Sequence, residues 1–162
     1  MSTNARIGFV DPKTNLIHSI HLHWDGYISK GAGQCLRDHY TNLKKIRRLI
    51  ALGSLSSLEQ HVSPLTAPKP WVNRYWRTGI INSGRQQFVT KHTYETPVAG
   101  VTVAYHRDHD VEWETVKPSI ETKMSDMQDY NYLYNAGQWY VKCYKTVWVK
   151  IPDGDLTKFE VC

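Results

Sequence analysis

Hydrophobic and polar residues alternate along two stretches near the N-terminus, residues 5–10 and 15–24. Alternation with a period of two is typical of β-strands that have one buried face. Between the two stretches, Asp11, Pro12 and Asn15 favour a turn. We therefore predict an N-terminal hairpin.

The second strand of this hairpin ends in the segment HLHWDGY, residues 21–27. Because side chains alternate between the two faces of a strand, Ile20 and Leu22 should share one face, and His21 and His23 the other. The strand should then end at the Asp-Gly turn.

A helical period replaces the alternation after the turn. Residues 34–40 indicate a short helix, and Thr41 or Asn42 can cap a second helix that runs to Leu52. Gly53 follows where a left-handed residue ends many helices. The second helix has an apolar stripe and a basic face; the stripe comprises Leu43, Ile46, Leu49 and Ile50, and the basic face comprises Lys44, Lys45, Arg47 and Arg48.

Further strands are predicted along the second half of the chain. They cover residues 86–95, 99–107, two stretches around the turn at 135–138, and the terminal 156–161. Shorter helical turns are predicted at 54–60 and 125–130. The fold class is therefore α+β, an antiparallel sheet of about five or six strands with two helices packed on one face. Residues 1–162 form one domain, interrupted by a proline-punctuated, irregular excursion at 61–87.

Composition and charge limit the function classes. The chain is rich in tryptophan and tyrosine (Trp 6, Tyr 10, against Phe 3) and has a net charge of +5, with basic first hundred residues and an acidic stretch at 101–129. Phosphate or nucleic-acid binding is compatible with this asymmetry but not favoured by it. Cys35, Cys143 and Cys162 lack metal-ligand spacing and predict neither a disulfide framework nor a zinc site, which fits the reducing cytoplasm. No signal segment or membrane span is expected.

A metal site is one interpretation of the histidines in HLHWD. His21, His23 and Asp25 overlap the His-x-His-x-Asp-His motif of metallo-β-lactamase-like hydrolases, but Gly26 stands where the last ligand would be. A polar strand face that ends in a turn explains the same residues. We therefore expect no metal and no cofactor.

A second histidine cluster, YHRDHD at residues 105–110, likewise lies at the end of a predicted strand. If the two strand ends meet, the clusters could form a metal site or the acid-base pair of a phosphoesterase. The residues for that alternative are His21, His23, His106 and Asp108, with His109 beside them. The two-histidine phosphoesterase pattern, His-x-Thr or His-x-Ser twice, is not present.

Two other segments suggest binding. Gly31 and Gly33 precede a helix, whose free N–H groups could hold an anion, although the glycines could simply allow a tight entry into the helix. The stretch WVNRYWR could stack a base or anchor a protein interface through Trp71, Arg74, Tyr75, Trp76 and Arg77. Nucleophile elbows, phosphate loops and dinucleotide fingerprints do not occur in the sequence.

Several motifs together carry a resemblance to a known group. The segments HWDGY, LIALGSLSSL, TVAYHRD and YNYLYNAGQWYV occur in this order. They are similar to a group of small, uncharacterised proteins of tailed bacteriophages and mobile elements, which share His-Trp-Asp-Gly-Tyr, Leu-Gly-x-Leu-Ser-Ser-Leu and Tyr-x-Arg-Asp over residues 15–142. In that group a proline commonly follows the tyrosine, where this chain has Ile28. The resemblance implies a phage accessory protein in the host bacterial cytoplasm but carries over no activity.

The leading functional hypothesis is a non-enzymatic binder that interferes with a host defence system by engaging a host protein or a nucleotide-type ligand. Its expected ligand-binding residues are Trp24, Asp25, Tyr27, Gly31, Gly33 and Arg107, lining one cleft. Arg107 would pair with a ligand phosphate or with Asp25. The alternatives are the phosphoesterase and a nucleic-acid-binding module that uses the basic helix, and an open sheet edge is compatible with a homodimer.

Overall fold

The computed structural model describes residues 3–63, 99–144, 146–159 and 161. Within them lies a mixed, eight-stranded sheet with two main helices. The strands are β1 (Ala5–Val10), β2 (Ile17–Leu22), β3 (Leu55–Ser57), β4 (Val103–Ala104), β5 (Ser119–Glu121), β6 (Tyr130–Asn135), β7 (Gln138–Cys143) and β8 (Val149–Lys150). The helices are α1 (Ala32–His39), α2 (Leu43–Ile50), α3 (Tyr105–His109) and α4 (Trp113–Val116).

The predicted fold class is right as α+β and wrong about strand direction. The strand order is β4-β3-β2-β1-β6-β7-β8, and β5 pairs with the first half of β2. The central pair β1 and β6 is parallel, as is the single pairing of β3 with β2. Parallel strands need a long connection, and the chain between β1 and β6 is long enough to provide one. The direction of pairing cannot be predicted from the pattern of residues within either strand.

The N-terminal hairpin is confirmed. β1 and β2 pair antiparallel from Ala5 opposite Leu22 to Val10 opposite Ile17. Asp11 accepts hydrogen bonds from the backbone of Asn15 and from that of Lys13, which shapes the turn. The two-faced pattern therefore fixes the register.

The front face of the sheet carries the core. Ile7 lies between Ile20 and Tyr132 on the neighbouring strands, and all three side chains are buried. Leu36 of α1 and Ile46 of α2 belong to the same hydrophobic cluster. Both main helices thus contribute buried side chains to this core.

The ends of α2 follow the expected signals. The Asn42 side chain accepts a hydrogen bond from the Lys45 backbone N–H at 2.9 Å, which identifies Asn42 as the N-cap. Gly53 has a φ of +80°, the left-handed conformation predicted for it.

The back face of the sheet carries buried polar side chains and is partly covered by residues 122–128. Arg6 of β1 is buried there, and its guanidinium donates to the hydroxyls of Ser19 and Ser119 and to the carboxylate of Asp126. The side-chain amide of Asn131 exchanges hydrogen bonds with the backbone of Gln128. These contacts fasten the covering segment to the sheet.

Several predicted elements differ. The stretch 54–60 contains β3 instead of a helical turn, and 99–107 contains only the short β4 before α3 begins. Residues 125–129 form no helix before β6 begins at Tyr130, and residues 156–159 of the predicted terminal strand form no strand. The predicted strand at 86–95 and most of the 61–87 excursion lie outside the described residues.

Two further findings concern the cysteines and the membrane. Cys143 is disulfide-bonded, so the expectation that the cysteines do not pair is wrong for this residue, because spacing along the chain does not show which thiols approach in the fold. Cys35 has a free thiol. Across the described ranges, no helix is long and apolar enough to cross a membrane.

Candidate functional site

The two strand tips singled out in the sequence lie side by side. Leu22, the last residue of β2, pairs with Leu55 of β3, which pairs in turn with Ala104 of β4. His23 and Tyr105 follow directly, and the Nδ1 atom of His23 lies 2.7 Å from the hydroxyl of Tyr105. The short strand β3 is what brings the tips together.

An aromatic surface is built around this hydrogen bond, and we call His21, His23, Trp24 and Tyr105 the histidine–tryptophan surface. The rings of His23 and Trp24 stack, with centroids 4.6 Å apart and planes 25° from parallel. The His23 ring also lies 6.4 Å from the rings of His21 and Tyr105. Trp24 is 42% exposed, so a large apolar ring faces solvent.

The backbone under this surface is held by β3. The N–H groups of His23 and Trp24 donate to the carbonyls of Leu55 and Ser56, at 3.0 and 3.1 Å. Because both the backbone and the ring of Trp24 are supported, its exposed side chain loses little conformational freedom when a partner covers it. The surface is therefore suited to binding.

Electrostatics make His21 a neutral member of the surface. Burial lowers its pKa, and the neighbouring charges of Arg6 and His23 lower it further. A neutral imidazole has one donor and one acceptor nitrogen. His21 can therefore contribute hydrogen bonds without placing a charge on the surface.

The loop after Trp24 is fixed to the sheet. Asp25 has a φ of +58°, a left-handed conformation that aspartate tolerates better than most residues. The N–H of Gly26 donates to the carbonyl of Thr3, and a Cβ on Gly26 would lie 2.7 Å from that oxygen. Only glycine fits this close approach without displacing β1.

The expected single cleft is divided. Tyr27 lines a groove with Tyr130 and Tyr144, while Asp25 and Gly31 line a different pocket. This second pocket of about 350 Å³ is also lined by Asp38 and Glu59, so the carboxylates of its lining outnumber its one lysine, Lys30. Neither of these two cavities is lined by more than one of the neighbouring residues Trp24, Asp25 and Tyr27.

The anion site predicted at the glycine pair is not formed. The N–H groups of Ala32, Gly33 and Gln34 already donate to the carbonyls of Asp25, Tyr27 and Ile28, at 2.8 to 3.0 Å. These carbonyls occupy the positions that an anion would take. The glycines serve the tight entry: a Cβ on Gly31 would lie 2.6 Å from the Tyr27 carbonyl, and one on Gly33 would lie 2.8 Å from the Ile28 backbone.

Arg107 holds the protein together instead of facing a ligand. It is 8% exposed, and its guanidinium donates to the carbonyls of Val62 and Thr102 and to both carboxylate oxygens of Asp108. It pairs with Asp108, so the predicted pairing with Asp25 is wrong. The neighbouring carboxylate and two loop carbonyls satisfy the guanidinium before Asp25 can.

Two residues of the hydrolase alternative, His106 and Asp108, lie in different environments. Asp108 has no exposed surface and accepts hydrogen bonds from the Ala104 N–H and from Arg107. His106 is exposed, its Nδ1 lies 2.8 Å from the Val111 carbonyl, and its ring packs edge-on against Trp113. In the parts of the chain described, no group of three or more histidine, cysteine or carboxylate side chains has the geometry to hold a metal ion.

The basic helix face is partly used within the molecule. The ammonium of Lys45 donates to the carbonyls of His39 and Gln60, and the guanidinium of Arg47 contacts Asp11. Lys44 and Arg48 are exposed. The predicted interface residues Trp71, Arg74, Tyr75, Trp76 and Arg77 lie outside the described residues.

Sequence reasoning missed Tyr105 as a site residue. Its hydroxyl positions His23, and its ring also meets that of His109 edge-on at 5.5 Å. The available signal was its place near the end of the predicted strand 99–107, just as His23 lies near the end of the predicted strand 15–24. The short β3, which joins the two tips, gave no such signal.

Comparison of the chain with known protein families, with curated proteins and with solved structures finds no match.

Proposed function

We propose that this chain is a phage accessory protein that acts by binding, without catalysis, and that it engages a host protein through the histidine–tryptophan surface. The motif resemblance supplies the phage context and, with it, the bacterial cytoplasm and interference with host defence. The surface supplies the mode of action. The carrying observation is an exposed Trp24 ring stacked on a histidine that is itself held by Tyr105.

Tryptophan and tyrosine dominate the energy of protein interfaces when they are rigid and can be fully covered by a partner. Trp24 is held rigidly, because its backbone is hydrogen-bonded to β3 and its ring stacks on the ring of His23. The neutral His21 and the His23–Tyr105 pair lie beside it as hydrogen-bonding groups. An apolar anchor beside polar groups is the usual arrangement of an interface.

A nucleotide-type ligand receives less support than a protein. Its phosphates would need the N–H groups near Gly33 and the guanidinium of Arg107 as hydrogen-bond donors. These groups already donate to backbone carbonyls of the chain. The phosphoesterase alternative is weakened in the same way, because Asp108 is buried and bonded. The nucleic-acid alternative depends on the basic residues of α2, of which Lys45 and Arg47 already have partners.

The proposal is tested by comparing captures from bacteria that express the wild-type chain, Trp24→Ala or Ile120→Ala. Ile120 lies on β5 and is 58% exposed, so its variant removes exposed apolar surface elsewhere. A host protein that is retained by the wild type and by Ile120→Ala, and lost with Trp24→Ala, is then purified and titrated. We expect Trp24→Ala to weaken its binding at least about thirtyfold, the effect of a hot-spot residue.

Equal affinity of the Trp24→Ala and Ile120→Ala variants for the purified partner would contradict the proposal. Turnover of a nucleotide panel that disappears in His23→Ala would contradict it in favour of the enzyme. A homodimer built on the same surface would appear as a loss of the dimer by sedimentation in Trp24→Ala alone.

A further inference from the structure

The back face of the sheet carries a groove that shares no lining residue with the histidine–tryptophan surface. The groove has a volume of about 480 Å³, within the range of small-molecule sites. Its walls combine apolar and basic side chains: Ile17, Lys123, Met124, Met127, Lys142 and Trp148. We call it the back-face groove.

The floor of the groove depends on Gly8. A Cβ at this position would lie 3.1 Å from the terminal methyl group of Met124, so the absent side chain lets Met124 rest directly on β1. Met124 is only 5% exposed. The floor is therefore packed and apolar.

The walls suit a flat apolar body. Trp148 and Met127 are both half-buried in the groove, where they remain partly open to solvent. Thioether groups adapt to irregular shapes and make favourable contacts with aromatic rings. An aromatic ligand body would find such contacts on two sides.

The rim of the groove is positively charged. Lys123 and Lys142 line it, and neither makes an ion pair within 4 Å among the described residues. The two acidic residues nearest in sequence to Lys123 are already bonded, because Glu121 accepts from the Ser125 hydroxyl and Asp126 pairs with Arg6. The lysine charges are thus available to a ligand.

The geometry points to the back-face groove as a binding site for a small amphipathic anion, with an aromatic body between Trp148 and the two methionines and a carboxylate-type head near Lys123 and Lys142. This site shares no residue with the proposed protein interface and can bind its ligand whether or not that interface exists.

The probe for this site is 8-anilinonaphthalene-1-sulfonate, an aromatic anion whose fluorescence rises when it leaves water. Titration of the full, folded chain should give saturable binding of one probe per chain. Added salt should weaken the binding, because the lysines are partly exposed and their attraction is screened. The competitors 1-naphthoate and decanoate then compare an aromatic with an aliphatic carboxylate, and we expect the naphthoate to displace the probe at lower concentration.

Three variants locate the probe. The double variant Lys123→Gln, Lys142→Gln should weaken binding about tenfold, since it removes both charges from the rim. Ile17→Trp should abolish binding by filling the groove without changing its charge. Lys117→Gln, Lys158→Gln is the control, which removes two positive charges elsewhere and should leave the affinity nearly unchanged.

Near-UV circular dichroism establishes that each variant is folded. Equal loss of affinity in the control and in the rim variant would show attraction by overall charge and overturn the assignment. Unsaturable binding, or binding that survives Ile17→Trp in a folded protein, would overturn it as well.

Discussion

The hydroxyl of Tyr132 donates a hydrogen bond to the backbone carbonyl of Gly26, with 2.7 Å between the two oxygens, in the interior of the protein. Tyr132 lies on β6, opposite Ile7, and has no exposed surface. Burial raises the pKa of its hydroxyl, which therefore remains a proton donor throughout the physiological range. The contact joins a central strand to the loop that follows Trp24.

Tyr132→Phe should destabilise the protein by about 1–2 kcal/mol, because the Gly26 carbonyl would remain buried without its donor. Urea denaturation measures the change. Tyr134→Phe is the matched control: its hydroxyl lies 3.4 Å from the Thr41 carbonyl, a longer and weaker hydrogen bond. Equal losses in the two variants would show that the Gly26 contact has no special weight.

Arg107→Ala should be the most destabilising of the substitutions considered, at about 3–5 kcal/mol, because it leaves the Asp108 carboxylate buried without its cation. Arg107→Lys should recover only part of this loss, since an ammonium cannot reproduce the paired hydrogen bonds to both carboxylate oxygens.

The control for Arg107 is Arg48→Ala on the exposed face of α2, which should change stability by less than about 0.5 kcal/mol. The measurement is the urea midpoint of each variant. If Arg107→Lys left the urea midpoint unchanged but abolished binding of the host protein, Arg107 would have to be a binding residue.

Cys35 should be an unreactive thiol. Burial and, to a smaller extent, the charge of Glu59 together raise its pKa to about 12, so almost no thiolate exists at pH 8. Alkylation by iodoacetamide, followed at Cys35 by mass spectrometry, should be slow in the folded protein and fast in urea. Glu59→Gln should increase the folded-state rate, whereas Glu114→Gln, on the surface beside Lys117, should not.

The raised pKa of Cys35 should make the stability of the fold depend on pH in the alkaline range. The folded state holds the Cys35 proton more tightly than the unfolded state, so this contribution is complete below about pH 9, the ordinary value, and is lost as the pH rises towards 12. Cys35→Ser should therefore reduce the fall in stability over that alkaline interval. An identical alkaline slope in the wild type and in Cys35→Ser would contradict the raised pKa.

His21 should make the protein less stable in mild acid. Burial lowers its pKa below the ordinary 6.5, so the unfolded state binds the proton first as the pH falls. The stabilisation is complete above pH 6.5 and is lost below it. Urea denaturation at pH 7.5 and pH 5.5 should show a smaller difference in His21→Gln than in the wild type. The matched control is His39→Gln, at the exposed end of α1, and a similar reduction there would contradict the assignment to His21.

The parts of the fold that sequence predicts are those set by neighbours along the chain. The hairpin of β1 and β2, the Asn42 cap and the strands of β6 and β7 all follow from a local period or a turn. The parallel pairing of β1 with β6 depends on residues more than a hundred positions apart, and three-residue β3 is too short to show a period. Local patterns cannot reveal either one.

The sequence likewise predicts some features of the candidate site and not others. The neighbourhood of His23 and Tyr105 follows from two strands that end at one edge, and it was expected. A buried Arg107 paired with an aspartate is one alternative that the sequence allows, but its partners cannot be predicted, because they include the carbonyls of Val62 and Thr102, which any residue type supplies. The sequence likewise allows the glycine pair to serve a tight entry into α1, but it does not show which carbonyls accept from the N–H groups near Gly33.

Gly33→Ala separates the two interpretations of the glycine pair. Gly33 lies inside α1, where alanine should stabilise a helix by about 0.5–1 kcal/mol if only backbone freedom mattered. An alanine Cβ would, however, lie 2.8 Å from the Cα and carbonyl oxygen of Ile28, and backbone atoms cannot turn aside as a side chain can. We therefore expect a net loss of about 1–3 kcal/mol, measured by urea denaturation beside His39→Ala, an exposed position of the same helix that should change little. A gain in stability would mean that the loop at residues 25–28 can move away from α1. The N–H groups at the start of this helix would then be free to bind an anion.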